Sequence, residues 1–500
     1  MRRIISAFLA VLLLFLALPA SAEQVQKAPD YIMEGFDGDG SNHVWDTNLF
    51  FARMQEKTGI SFQFRQWTEY ADWTTRKQGL INGESLPDVL FKASLTARET
   101  QQMAASGVLI DLSPYLEQYA PNLWQLLQQH EDWRQAITMP DGSIPALPLF
   151  DTLQNNDAMW INTAWLKKLK VDLPTTAEEL TEALRAIKTG DPNGNGQADE
   201  VPLTFIGMWE LRFLGHAFGI IDNDYYICAE NSQVTSSLTS DENRAFLSWL
   251  HTLWTEGLLD RNGFSTADSL RQITDEKKTI PYGMILSTSP MSVVPVSAAS
   301  QYSLLQPLQW QGKQVYRDLL GDVVRGAFAI TSACKEPEKL VSWVDTLYTE
   351  KGARMAQYGL EGVEYLWNEN GYWEWNADLE TVANVYLAEH TLGEGGVLPG
   401  LAASDFQLKY FQDAARIPVE ELAELKTHSV IPYPPVFLSE ADADRIAQIQ
   451  QPLDRYVQQT MACFVTGDLP LDDAQWDTFC ANVKELGLDE MVSIWQKYVK

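Results

Sequence analysis

Residues 30–64 read DYIMEGFDGDGSNHVWDTNLFFARMQEKTGISFQF, and this stretch decides the fold. Asp30 to Phe36 is apolar enough for a strand, and the polar turn Asp37 to His43 follows it. Trp45 to Lys57 then places Leu49, Phe50, Ala52 and Met54 on one side of a helix, which Gly59 ends. Ile60 to Phe64 alternates apolar and polar residues, the period of a strand. Strand, helix, strand in this order predicts a parallel sheet with helices packed on it, an α/β architecture.

The pattern continues outward. Leu86 to Phe91 is a short apolar run that predicts a buried strand, with helices over Ala97 to Ser106 and Ser113 to Gln118. Asp141-Gly142 is a turn, and Ile144 to Leu149, with two prolines, reads as an extended crossing. Trp160 to Leu169 reads as helical. Thr176 and Glu179 have capping-box spacing, so a second helix starts near Ala177 and runs to about Lys188. After a polar loop from Gly190 to Glu200, Val201 to Ile206 predicts a strand. Asn243 to Glu256 is an amphipathic helix stopped by Gly257, and its regular apolar face assigns Trp254 to the core. Ile280 to Leu286 and Arg325 to Thr331 read as strands, Glu336 to Thr349 and Lys351 to Tyr358 as helices, and the chain from Ser439 as mainly helical. With no internal repeat and no low-complexity linker, two interleaved α/β lobes are expected.

Composition narrows the function. In 500 residues, 45% are hydrophobic and 21% charged, a globular balance with ample material for a core. Lys+Arg is 37 against 67 Asp+Glu, and the resulting net charge of -30 repels phosphate backbones, which argues against nucleic-acid binding. The 17 tryptophans supply core and, where exposed, flat binding platforms. Arg2 and Arg3, the apolar run Ile4 to Leu18 and the sequence Pro19-Ala20-Ser21-Ala22 form an export leader, with the mature chain starting at Glu23. No later run is long enough to span a membrane, so an exported protein, periplasmic or secreted, without membrane insertion is expected. The first cysteine is Cys228, so no N-terminal cysteine is expected to carry a lipid anchor. Cys228, Cys334, Cys463 and Cys480 include no C-x-x-C pair, which speaks against a thiolate metal site. An oxidising compartment permits one or two disulfides, with Cys463 and Cys480 the nearest pair, or leaves buried free thiols.

The most specific local signal is Asp191-Pro-Asn193-Gly-Asn195-Gly196-Gln197-Ala-Asp199-Glu200. Oxygen side chains recur at loop positions one, three and five. Gly196 stands at position six, where a calcium loop turns sharply, and Gln197 at seven offers its carbonyl. Position twelve is Pro202 instead of a bidentate Glu, so Asp199 and Glu200 would complete the shell. Because a strand follows, this reads as a structural calcium clip and not a switch; the plain alternative is a polar turn without metal. No nucleophile-elbow, zinc-protease or P-loop motif occurs, and the six histidines are scattered singly. These absences weigh toward binding over catalysis.

The stretches Trp160 to Leu169 and Leu173-Pro-Thr-Thr-Ala-Glu-Glu-Leu180, followed by the Asp191 loop, resemble the extracellular solute-binding proteins of carbohydrate ABC importers, in particular the large oligosaccharide- and alginate-binding branch. Leu86-Pro-Asp-Val-Leu90, Asp111-Leu-Ser-Pro114, Pro140 to Pro148, Tyr358-Gly-Leu-Glu-Gly362 and Gln475-Trp-Asp477 fit the same resemblance, which covers nearly the whole mature chain. It implies a type 2 periplasmic-binding-protein fold, two α/β lobes that hinge shut on a ligand, and no enzymatic activity. It implies structural calcium held by Asp191, Asn193, Asn195, Gln197, Asp199 and Glu200. It also implies a monomer that delivers a carbohydrate to ABC permease subunits. Crossings are expected near Leu147 to Asp157, Leu320 to Gly326 and Glu361 to Asn376. The corresponding lobe segments are 23–148 and 323–372 for the first lobe, and 149–322 and 373–500 for the second. The rival readings are an exported polysaccharide-processing enzyme and a sensor subunit with the same fold.

Ligands of open α/β sheets sit beyond the carboxyl ends of the strands, and sugars want aromatic faces for their rings and polar groups for their hydroxyls. The first lobe then offers Asp37, Asn42, His43, Trp67 and Lys92. The second offers Trp209, Arg212 and the Ser287-Thr288-Ser289 turn, and the crossings offer Trp160, Trp367 and Trp373.

Overall fold

The computed structural model describes residues 29–499 apart from 157, 266–270, 377–382, 394 and 412; the expected leader, 1–22, lies outside the described residues. The opening strand forms as Tyr31–Phe36 and pairs in parallel with Phe62–Trp67 on one side and Val89–Phe91 on the other. Between the first two runs the helix Leu49–Thr58, capped by the Asn48 side chain and ended by Gly59 in the left-handed region, buries Phe50, Phe51 and Met54. The sheet has six strands in the order Gly400–Leu401, Leu147–Phe150, Val323–Ile330, Val89–Phe91, Tyr31–Phe36, Phe62–Trp67. Val323–Ile330 runs against its neighbours and carries a bulge between Val324 and Phe328. Gly326 in that bulge has φ +73°, and a Cβ there would lie 2.1 Å from Leu95 O, so only glycine fits.

A second sheet has the order Tyr302–Leu304, Ala158–Asn162, Tyr282–Ser287, Val201–Thr204. Trp160 to Leu169, expected to be helical throughout, is divided: Ala158–Asn162 is a strand buried on both faces, and the helix is Thr163–Leu169, with the Asn162 side chain accepting from Trp165 N. A strand with neighbours on either side has no polar face, so its run of apolar residues carries no period that separates it from a helix. The helix Ala177–Thr189 starts as expected, with Thr176 accepting from Glu179 N; the Glu179 carboxylate reaches back to the Thr175 backbone N–H and hydroxyl.

Each sheet lies in its own apolar core. One core joins Met33, Phe50, Phe91 and Phe150 to Phe328, Trp343 and Leu398. The other joins Ile161, Leu184 and Phe246 to Met284, Leu453 and Trp495. The chain therefore passes between lobes three times. The first two passages run over 151–156 and 318–322. Beyond them Tyr365–Trp367 and Trp373–Trp375 form an antiparallel hairpin, and Gly400–Leu401 still pairs with Leu149 and Phe150 of the first sheet. The third passage comes only after residue 401, so the division expected at 372/373 falls inside the first lobe. All four cysteines are free and half-buried.

Candidate functional site

Strand direction fixes where the lobes face each other. In the first sheet Tyr31–Phe36, Phe62–Trp67, Val89–Phe91, Leu147–Phe150 and Gly400–Leu401 all point the same way, so the loops 37–48, 68–70, 92–96, 151–156 and 402–411 leave one edge. In the second sheet Val201–Thr204 and Tyr282–Ser287 are parallel, and their loops share an edge with the start of Ala158–Asn162. The segment 151–156 leads from the first edge toward the second. The carboxyl ends of both sheets are thus tied together across one cleft.

On the first side the cleft holds a cavity of about 350 Å³. Trp133, Phe150, Trp367 and Phe406 give it aromatic walls, and Glu350, Arg354, Asp405 and Lys409 give it polar ones. Trp133 is stacked between His130, at a centroid distance of 4.0 Å, and Phe150, at 4.3 Å. Trp367 stands edge-on to Phe406, at 87°. Arg354 Nε is buried with no hydrogen-bond partner among the described residues, so a ligand oxygen would satisfy it. Two carboxylates and two cations leave the walls balanced in charge.

Trp209, at 49% exposure, is the most open tryptophan among the described residues, on the short helix Gly207–Leu211 that follows Val201–Thr204. Met291, also exposed, stands on the parallel loop beside it. In the Ser287 turn, the Ser287 hydroxyl donates to Ser289 O and Ser289 Oγ accepts from Met291 N, so both serines hold the loop and Thr288 is exposed.

Several expected ligand residues are committed elsewhere. Asp37 and Lys92 are buried, with Lys92 Nζ 2.5 Å from Asp37 Oδ1; Asp37 Oδ2 accepts from Ser41 Oγ, His43 Nδ1 and Gln66 Nε2. Burial pushes the Asp37 carboxyl up, but the His43 hydrogen bond and the Lys92 charge outweigh it and hold the carboxyl below the ordinary range. This cluster shapes the first loop and leaves Asn42 exposed on it. Arg212 is buried against Asp222 and the Tyr226 ring. Trp160 is core, its Nε1 donating to Ser287 O. Trp373 backs the cavity: it stacks on Phe406 at 4.3 Å and donates to Phe406 O. Trp67 is half-buried and donates to Glu34. Of the expected set, Asn42, Trp209 and Trp367 are presented at the cleft edge. Trp133, Phe150, Arg354 and Phe406 were not foreseen; the rule of looking beyond strand ends would have reached Phe150 and Phe406 had the strands before them been recognised.

The Asp191 loop is a hydrogen-bonded knot on the surface. The Asp191 carboxylate accepts from the backbone N–H groups of Gly194, Asn195 and Gly196, and Asn195 Oδ1 accepts from Gln197 N. Asn193 and Asn195 each donate their amide to one oxygen of Asp199, which keeps its carboxyl below the usual range. Glu200 Oε1 is buried without a partner, and burial, with Asp199 and Asp191 nearby, pushes its carboxyl up. The loop thus gathers the side-chain oxygens of Asp191, Asn193, Asn195 and Asp199, hard oxygen atoms of the kind calcium takes. Among the described residues no three His, Cys, Asp or Glu side chains group as a metal site, and no helix is long and apolar enough to cross a membrane.

Residues 40–221 match the family model of bacterial extracellular solute-binding proteins. The chain is 27% identical over 478 residues to the fructooligosaccharide ABC transporter substrate-binding protein FusA of Streptococcus pneumoniae, covering 90% of this chain and 86% of FusA. It is 27% identical over 172 residues to lipoprotein LipO of Bacillus subtilis, a third of either chain. Solved structures of FusA with kestose and, as an EF-hand mutant, with fructo-nystose are 24% identical and align over 94% of this chain and 98% of theirs, with TM-scores of 0.70 and 0.69. An extracellular solute-binding protein of Bifidobacterium longum subsp. infantis aligns over 94% of this chain and 99% of its own, at 23% identity and TM-score 0.77. The fold is that of the two-lobed periplasmic solute-binding proteins.

Proposed function

We propose that this chain, a relative of the bacterial extracellular solute-binding proteins, is the binding component of an ABC importer that captures an oligosaccharide between its lobes and hands it to membrane permease subunits. The observation that carries this reading is the aromatic cavity at the facing sheet edges, with Trp209 on the opposite lobe. Sugar rings present apolar faces that pack on aromatic side chains, while Arg354 and its polar neighbours take hydroxyls. Balanced charge on the cavity walls favours a neutral glycan. The ligand must hold the closed form better than the open one, and contacts to both lobes supply that difference. FusA, named for fructooligosaccharides, makes these the first ligands to try.

The Asp191 loop serves as a calcium clip on the second lobe, away from the sugar. An EF-hand in FusA supports this, as does the unpartnered Glu200 oxygen. The protein works outside the cytoplasm, where both the glycan and millimolar calcium are met. Titrating the mature chain with neutral oligosaccharides while following tryptophan emission tests the reading. Saturable quenching, a smaller radius of gyration and recovery of intact sugar are expected. No response to any glycan, or the appearance of cleavage products, would overturn it.

A further inference from the structure

The second lobe buries a charge cluster that sugar capture does not use. Arg212 and Arg317 are 6% and 2% exposed and share one buried carboxylate, Asp222. Arg212 Nη2 donates to Asp222 Oδ1 at 2.7 Å and to Asn223 O at 2.9 Å. Arg317 Nε donates to the backbone oxygen of Asp222 and lies 3.4 Å from its Oδ1. The Ser237 hydroxyl occupies the remaining carboxylate oxygen. Guanidinium groups stay charged, so one positive charge is left over in the interior. The other acids in range are poorly placed to cancel it. Asp224 is exposed and screened by water, and Asp454 is half-buried and takes the hydroxyl of Tyr226, whose ring separates it from Arg212.

Arg317 Nη1 is buried and has no acceptor among the described residues. The same residue lines a small pocket of about 20 Å³, otherwise walled mainly by carbon from Phe213, Leu305, Pro307 and Met159. That is room for one water-sized particle. A water would need acceptors for its own hydrogens. The polar neighbours offer few: His216 Nδ1 is bonded to Phe213 O and its Nε2 accepts from Leu308 N, while the Tyr316 hydroxyl already accepts from Asn156 N. A monatomic anion has no hydrogens to place, accepts from Nη1 and cancels the spare charge.

We propose that this cavity binds one small monovalent anion, chloride by size, held by Arg317 in the core of the second lobe. The ion would brace the strand Tyr316–Arg317, which pairs with Ser429–Val430 and leads directly into the inter-lobe passage at Asp318. This is independent of which sugar is bound, and of whether any is.

The test uses the full mature chain. Thermal unfolding is compared in sodium chloride and in sodium methanesulfonate, whose anion is too large for the cavity, at equal ionic strength and fixed pH. A saturable rise in Tm of about 1 to 3 °C with chloride is expected. Crystals soaked in bromide should show an anomalous peak within hydrogen-bond distance of Arg317 Nη1. Because Arg317→Met removes a buried charge and risks the fold, the cavity is also filled by Ala158→Val, which leaves every charge in place and should abolish the chloride effect. Equal Tm in the two salts, no bromide peak at Arg317, or an undiminished chloride shift in Ala158→Val would each overturn the proposal.

Discussion

Lys426 Nζ lies 2.5 Å from Asp318 Oδ2 and ties the first two inter-lobe passages together. It also reaches Gln154 O at 3.1 Å in the first passage and Asp322 Oδ1 at 3.3 Å in the second, while its own helix, Asp413–Lys426, follows the third. The Asp318 carboxylate is buried and further holds Gly321 N and the Ser429 hydroxyl. Lys426→Met leaves Asp318 buried without its counter-charge, and a loss of about 3 kcal/mol in unfolding free energy is expected. Denaturant titration measures it, and scattering on the surviving folded protein should show a broader spread of lobe separations than in the parent.

Trp209 offers a cleaner test of the cleft, because about half of its surface is open to solvent. Trp209→Ala should leave Tm within a degree of the parent, as substitutions at exposed positions do. Its affinity for a bound oligosaccharide should fall about two- to twelvefold, the worth of one aromatic contact. Calorimetric titration reads both the affinity and the stoichiometry, which should stay at one.

The contrast between Trp209 and Arg212, three residues apart, shows how far the sequence could be read. Both follow a strand that the sequence revealed, and both carry chemistry suited to sugars. Only the three-dimensional packing decides that Arg212 turns inward to Asp222 while Trp209 turns out. Elements with a period were legible, such as the helices from Ala177 and Asn243 and the strand from Tyr31. Ala158–Asn162 was not, since burial on both faces erases its alternation. Gly400–Leu401 is two residues long and leaves no pattern at all, yet it decides where the third passage falls and carries the chain to Phe406. The Asp191 loop was legible because a closed turn of oxygen-bearing side chains is a local property.

Calcium should stabilise the chain through that loop. Binding to the folded form alone adds about 2.7 kcal/mol at one hundred times Kd, so EDTA should lower Tm by several degrees and calcium restore it. Asp191→Ala removes position one and also frees the backbone N–H groups of Gly194 to Gly196; the variant should have the lower Tm whether or not calcium is added. A melting temperature indifferent to EDTA would show the loop to be a metal-free turn.

His216 sets a pH dependence. Its Nδ1 faces Phe213 O and its Nε2 faces Leu308 N–H, so the ring is neutral with the proton on Nδ1. Burial, with the Arg317 charge adding to it, lowers its pKa from 6.5 to about 4. Below pH 6.5 the unfolded chain takes up a proton that the folded chain refuses. The stabilisation is therefore complete above pH 6.5 and declines as pH falls toward 4, by about 3 kcal/mol in all. Unfolding at constant chloride across this range should show the decline, and His216→Gln, which keeps a donor and an acceptor without a titrating ring, should flatten it.

Asp37 and Asn42 separate scaffold from contact on a single loop. Asp37→Asn leaves Lys92 buried, in a left-handed backbone at φ 51°, with no carboxylate to meet its charge. A loss of about 3 to 5 kcal/mol is expected, because an uncompensated ammonium in the interior costs far more than the pair contributes. Asn42→Ala touches an exposed side chain and should change stability by no more than about 0.5 kcal/mol. If Asp37 shapes the loop and Asn42 presents to the cleft, oligosaccharide affinity measured on folded protein should weaken in Asn42→Ala at unchanged Tm. In Asp37→Asn, affinity should fall only together with Tm. An Asp37→Asn variant with parental Tm and no sugar binding would place the carboxylate on the ligand, and the loop would then have to open to expose it.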